Sequence, residues 1–146
     1  MGRARKEVEP WYPEDGRTRL VILGNPERLT VGNRLNLARP PYPFIDLTGS
    51  PVEVGKEVTL SSGVYVHTHT HQFGRSDWRN LSPVGSDRPT VLGDYCFIGV
   101  NAQLMNTCKR VGCHSVVAAG SIMTRDVPDY EVWAGNPARK IGDVLK

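Results

Sequence analysis

From Val54 onward the aliphatic residues keep a beat of six. Val54, Leu60 and Val66 set the spacing, and Leu92, Ile98 and Leu104 resume it after an interruption. One extra residue intrudes before Val111, and Val117 and Met123 then return to the period. Val31 and Leu37 form an earlier, weaker copy. The residue after the anchor is small in most cases, as at Gly55, Ser61, Gly93, Gly99, Gly112 and Ala118. A helix repeats about every 3.6 residues and a lone strand about every two, so neither fits. Six residues suit one side of a three-sided coil. The period therefore predicts an all-β chain wound as a parallel β-helix, its anchors pointing inward and stacking from coil to coil.

The interruption, Gln72–Pro89, is too long for a turn and reads as a functional excursion loop. A chain of this length is expected to be one domain, with a lead-in over 1–30, coils over 31–127 and a cap over 128–146. Pro128 and Pro137 punctuate the cap. Its task is to cover the strand edges and apolar anchors that an open coil end would expose.

Composition narrows the class. Apolar residues make up 39% of the chain, enough for one core, and the 15 glycines and 11 prolines favour turns over helix. No apolar run reaches membrane-spanning length, and the start, "MGRARKEVEP", lacks the apolar stretch of a secretory signal. Cys96, Cys108 and Cys113 form no C-x-x-C pair and read as reduced thiols. These features point to a cytoplasmic protein. The net charge of +3 is mild, and the basic "RARK" has no aromatic residues interleaved with it. Neither a nucleic-acid partner nor membrane insertion is expected.

Three of the four histidines fall within "VHTHTHQF": His67, His69 and His71. Side chains alternate along a strand. With Val66 inward, Thr68 and Thr70 follow it in, and the three imidazoles share the outer face. Same-face histidines two apart on a strand can chelate zinc together with a third ligand. His114 is the one distant option, and no Cys or carboxylate stands at ligand spacing, so no metal is expected. An imidazole also suits general-base work near neutral pH.

The hexapeptide blocks, the "HTHTHQF" ahead of a long loop, and the ending "AAGSIMTRDVPDYEVWAGNPARKIG" resemble the hexapeptide-repeat acyltransferases. The likeness is greatest to the branch of maltose, galactoside and xenobiotic O-acetyltransferases, and it covers about Val31 to Gly142. It implies a left-handed coil, a homotrimer with sites shared between subunits, and acetyl-CoA as donor. It also implies that the histidine just ahead of the loop is the general base. That residue is His71, with His69 the runner-up and His67 a bystander. By the same likeness Ala119, Thr124 and Arg125 lie on the coenzyme track, and Arg139 of "AGNPAR" reaches the nucleotide phosphates, to which guanidinium bonds well. Lys109 and Arg110, at the extra residue, are further phosphate candidates. Asp46, where the family often has Asn, and Trp78 in the loop are the acceptor-binding candidates. The chain departs from the family in its lead-in, "WYPEDGRTRLVILGNPERLT", which replaces a helical segment, at Asp46, and at Phe97, where Trp is frequent.

The resemblance implies an acetyl-CoA-dependent O-acetyltransferase acting on a hydroxyl of a small acceptor, a sugar first. The acceptor would attack the thioester directly, since no Ser or Cys has the setting of an activated nucleophile. Three alternatives share the motifs or the fold. They are an N-acetyltransferase on an amino sugar, a zinc lyase of the γ-carbonic-anhydrase type, and a non-catalytic hexapeptide scaffold.

Overall fold

The computed structural model describes residues 9–11, 20–71 and 83–145. Within them the chain winds through five coils, laying one short strand on each of three sheets per turn. Strand β1 (Glu9–Trp11) pairs antiparallel with β2 (Leu20–Leu23). The first coil continues through a 3-10 turn at Pro26–Arg28 into β3 (Leu29–Val31) and β4 (Leu35–Leu37). The second is β5 (Phe44–Asp46), β6 (Val52–Val54) and β7 (Val58–Leu60). The third begins at β8 (Tyr65–Val66) and is broken by the excursion, whose base is the antiparallel pair β9 (Thr70–His71) and β10 (Pro83–Val84). It resumes as β11 (Thr90–Leu92) and β12 (Phe97–Ile98). The fourth is β13 (Gln103–Leu104), β14 (Arg110–Val111) and β15 (Val116–Val117). The last is β16 (Ile122–Met123), a bridge from Val127 to Val111, and β17 (Glu131–Gly135), on which β18 (Ala138–Asp143) folds back antiparallel.

The anchors stack in register as the period of six predicts. On the first sheet Ile22, Ile45, Val66, Leu104 and Met123 pair in turn. On the second, Val31, Val54, Leu92, Val111 and Val127 do so. On the third, the column is Leu37, Leu60, Ile98, Val117 and Trp133. All but Val31, Leu37 and Trp133 are buried at 3% exposure or less. Each fully buried aliphatic contributes about 1.5–3 kcal/mol, so the columns dominate the stability. The stacking already includes Leu20–Leu23, upstream of the residue-31 start read from the sequence. Likewise β17, within the segment read as cap, completes the third sheet, and β18 alone turns back.

Where glycine follows an anchor, as at Gly93, Gly99 and Gly112, it has a steric cause. A Cβ on Gly99 would lie 2.5 Å from the Ala119 nitrogen, and one on Gly112 would lie 2.4 Å from the Asp129 nitrogen. The next coil passes too close for a side chain. The corner between the second and third sheets repeats a left-handed residue in every coil: Arg34, Glu57, Tyr95, His114 and Tyr130, with φ between 53° and 60°. Three of these rings form a ladder, His114 lying 4.9 Å from Tyr95 and 4.8 Å from Tyr130. No helix among the described residues is long and apolar enough to cross a membrane.

Candidate active site

The three clustered histidines lie where the first sheet gives way to the excursion, and their side chains diverge. Thr68 follows Val66 inward and is 1% exposed, as alternation requires. Its hydroxyl receives the Gly49 N–H and lies 3.2 Å from Asp46 Oδ2. Asp46 closes β5 of the coil beneath and is itself 1% exposed. A buried carboxylate is tolerated only when its lone pairs are filled. Here Oδ1 accepts the Thr48 backbone N–H at 2.8 Å and the Thr48 hydroxyl at 2.5 Å. Oδ2 accepts the Thr68 backbone N–H at 3.1 Å and lies 2.5 Å from His69 Nδ1.

The charge state of Asp46 follows from this cage. Burial alone pushes its carboxyl up, but hydrogen bonds from the Thr48 side chain and backbone, from His69 and from the Thr68 backbone outweigh it. The net effect holds the group below the usual carboxylate range. Asp46 is therefore an anion at neutral pH, directly under an imidazole that keeps about a quarter of its surface exposed, at 26%.

His71 is exposed on β9 opposite Pro83, its ring edge-on to His69 at 5.3 Å between centroids. His67 turns the other way. Its Nε2 lies 2.9 Å from Gln103 Oε1, and its ring stacks 3.8 Å from Tyr65, which stacks in turn 4.4 Å from Phe44. Burial, then the Asp46 charge, pushes the Tyr65 phenol up. His114 sits apart, in the corner ladder. Among the described residues no three His, Cys, Asp or Glu side chains converge as a metal site.

The donor-side candidates spread over the last two coils and the cap. Ala119 is exposed at the turn from third to first sheet, above Gly99. Thr124 and the exposed Arg125 follow β16, on the same edge of the prism as His69 and two coils beyond it. Arg139 is exposed on β18, its guanidinium donating to the Ala138 carbonyl at 2.9 Å. Arg110 pairs with Asp129 at 3.1 Å. Lys109 instead turns inward, with Nζ 3.4 Å from Ser50 Oγ, and burial followed by the Arg88 charge lowers its pKa. Trp78 lies outside the described residues.

Asp46 was legible as a polar residue near the histidines, but as an acceptor contact. Its burial and its bond to His69 were not. Thr48 and Thr68 were missed as cage residues. The available signal was a carboxylate on an apolar strand, "FIDLT", in the coil stacked beneath "VHTHTH".

No family model matches the chain. A Saccharomyces cerevisiae protein that carries an acetyltransferase name is 33% identical over 103 residues, which span 70% of this chain and 51% of that one. The maltose O-acetyltransferase of Clostridium difficile 630 superposes with a TM-score of 0.66 at 26% identity, over 82% of this chain and 60% of that one. The chain is thus similar in sequence and in fold to hexapeptide-repeat acetyltransferases. A hexapeptide-repeat acetyltransferase of Vibrio cholerae, solved with acetyl coenzyme A, has the same fold at a TM-score of 0.65 and 23% identity, over 82% of this chain and 72% of that one. The all-β, left-handed β-helix expected from the hexapeptide resemblance is thus the fold of this chain. The chain spans about half the length of the yeast relative, at 51%.

Proposed function

We propose that this hexapeptide-repeat chain transfers the acetyl group of acetyl-CoA to a hydroxyl of a small acceptor, with a sugar as the first candidate and His69 as general base. The observation that carries the reading is the 2.5 Å approach of His69 Nδ1 to the buried Asp46 carboxylate. A carboxylate at Nδ1 leaves Nε2 as the basic nitrogen and stabilises the imidazolium that forms when it takes a proton. The acceptor hydroxyl gives its proton to Nε2 as its oxygen bonds to the thioester carbonyl carbon. Nε2 then returns that proton to the departing thiolate as the C–S bond breaks. His71, first choice from the sequence, has no carboxylate partner among the described residues and lies edge-on beside His69. Asp46, in this reading, orients the base from below and does not meet the acceptor.

The donor is assigned to acetyl-CoA on the strength of the yeast, Clostridium and Vibrio likenesses. Thr124 and Arg125, on the same edge as His69, support a coenzyme track along that edge, with Ala119 on its flank and Arg139 available to a phosphate. A homotrimer is part of the proposal. Tyr95, Phe97 and Val100, all in the third coil, are 47%, 44% and 47% exposed, an apolar patch suited to a second copy.

The deciding experiment is thiol release from acetyl-CoA with a panel of sugars and amino sugars, run on the wild-type chain and on His69→Ala and His71→Ala. Loss of turnover in His69→Ala with retention in His71→Ala supports the assignment. The reverse returns the base to His71. Cleavage of the product by neutral hydroxylamine separates an ester from an amide, and so O-transfer from N-transfer.

A further inference from the structure

Thr48 Oγ1 makes two contacts that constrain each other. It lies 2.5 Å from Asp46 Oδ1 and 2.9 Å from His69 Nδ1. A hydroxyl has one proton to give and lone pairs to receive with. The ionised Asp46 carboxylate only accepts. The Thr48 proton must therefore point at Asp46 Oδ1, and its lone pairs face His69. Both atoms beside His69 Nδ1, Asp46 Oδ2 and Thr48 Oγ1, are then acceptors. Nδ1 must carry the imidazole proton, and Nε2 is left with the lone pair. Asp46 alone gives Nδ1 one acceptor. Thr48 adds the second, so a ring turned away from the carboxylate would give up two hydrogen bonds.

Thr48 is itself held from the first coil. Arg28 Nη1 donates to the Leu47 carbonyl at 2.8 Å and to the Thr48 carbonyl at 3.2 Å. Arg28 is aimed by its own local structure. The Asn25 side chain accepts the Glu27 N–H and caps the 3-10 turn Pro26–Arg28, which ends at Leu29 as β3 begins. That turn belongs to the lead-in that the sequence likeness leaves uncovered.

We infer that Thr48 and Arg28 are positioning residues for His69: the Thr48 hydroxyl fixes the ring with its proton on Nδ1, and Arg28 fixes the Thr48 turn. The inference rests on the reading of His69 as general base. It makes the first coil a working part of the site as well as the start of the core. Neither residue contacts Nε2, so both act through the imidazole.

The test uses Thr48→Val, Thr48→Ser, Arg28→Met and Arg28→Lys in the full chain, with two readouts. The first is long-range 15N–1H NMR of the His69 ring in the ligand-free protein, at a pH where the imidazole is neutral. The wild type and Thr48→Ser should show one tautomer, protonated at Nδ1. Thr48→Val should show a mixture, and Arg28→Met a smaller admixture that Arg28→Lys reverses. The second is steady-state kinetics. Loss of one neutral hydrogen bond should lower kcat about tenfold for Thr48→Val, with the KM for acetyl-CoA unchanged and Thr48→Ser restoring the rate. A Thr48→Val chain that keeps the pure Nδ1–H tautomer and the wild-type kcat overturns the inference. If Thr48→Val fails to fold, the Arg28 pair decides by the same two readouts, and a wild-type tautomer and rate in Arg28→Met overturn the role of Arg28. If the wild type transfers no acetyl group but the tautomer responds to Thr48, the positioning role stands and the acetyltransfer reading falls.

Discussion

His69 Nδ1 lies 2.5 Å from Asp46 Oδ2, across 23 positions of sequence and one step between stacked coils. The step is set by the pairing of Ile45 with Val66, which places the residues after β5 under those after β8. Nothing local to either residue creates the contact. It exists because two apolar columns stack in register and carry their polar neighbours with them.

Replacing Asp46 by Asn should lower kcat by about 10² to 10⁴, because the amide no longer stabilises the imidazolium. It should also destabilise the fold. An amide NH2 in a cage of donors leaves at least one buried group without an acceptor, at a cost of about 1–3 kcal/mol. Thiol release and urea unfolding measure the two effects. A variant with full turnover would remove Asp46 from the mechanism.

Acid should expose the same group through stability. The native carboxyl of Asp46 is depressed below its ordinary value. Its contribution is therefore complete above the unfolded value, at about pH 4, and is lost as the pH falls through the native one. The unfolding free energy of the wild type should fall more steeply below that point than that of Asp46→Asn, and the two should run parallel well above it. Urea midpoints followed by circular dichroism across the acid range check this.

Gly112→Ala should cost about 1–3 kcal/mol. The added Cβ would meet the Asp129 nitrogen at 2.4 Å and the Pro128 carbonyl carbon at 2.5 Å. Both are backbone atoms of the next coil, so relief requires opening the stack. The denaturant midpoint should fall with little change in slope. Gly142→Ala, with nothing within 4 Å of its Cβ, is the matched control and should be close to neutral.

The thiols should divide by burial. Burial pushes Cys96 and Cys108 up to about 12, and both are at most 1% exposed. Cys113 is partly exposed. A disulfide reagent at mildly alkaline pH should label one thiol in the native protein, Cys113, and all three after unfolding. Rapid native labelling of Cys96 or Cys108 would contradict the inner columns that enclose them.

The sequence by itself determined the repeat and, through it, most of the core. Val54, Leu60, Val66, Leu92, Ile98, Leu104, Val111, Val117 and Met123 were all readable as inward anchors, and all are buried. A period of six that returns each anchor to its own column is a local signal, and steric crowding at Gly99 and Gly112 reinforces it. The lead-in was less legible. Ile22 stacks on Ile45, but irregular spacing hides it from any count of six. The histidine cluster was equally plain, and its division of labour was not. Alternation along a strand put His67, His69 and His71 on one face, and only the family resemblance ranked them, with His71 first. Tertiary structure decided which neighbours each imidazole meets. Stacking of the second and third coils brings Asp46 and Thr48 to His69, gives His67 to Gln103 and leaves His71 at the surface. Those contacts lie between coils, 21 to 36 positions apart, where no periodicity along the chain can register them. The short-range order of a β-helix is written in its repeat, but the chemistry of its edges depends on which residues the stacking sets side by side.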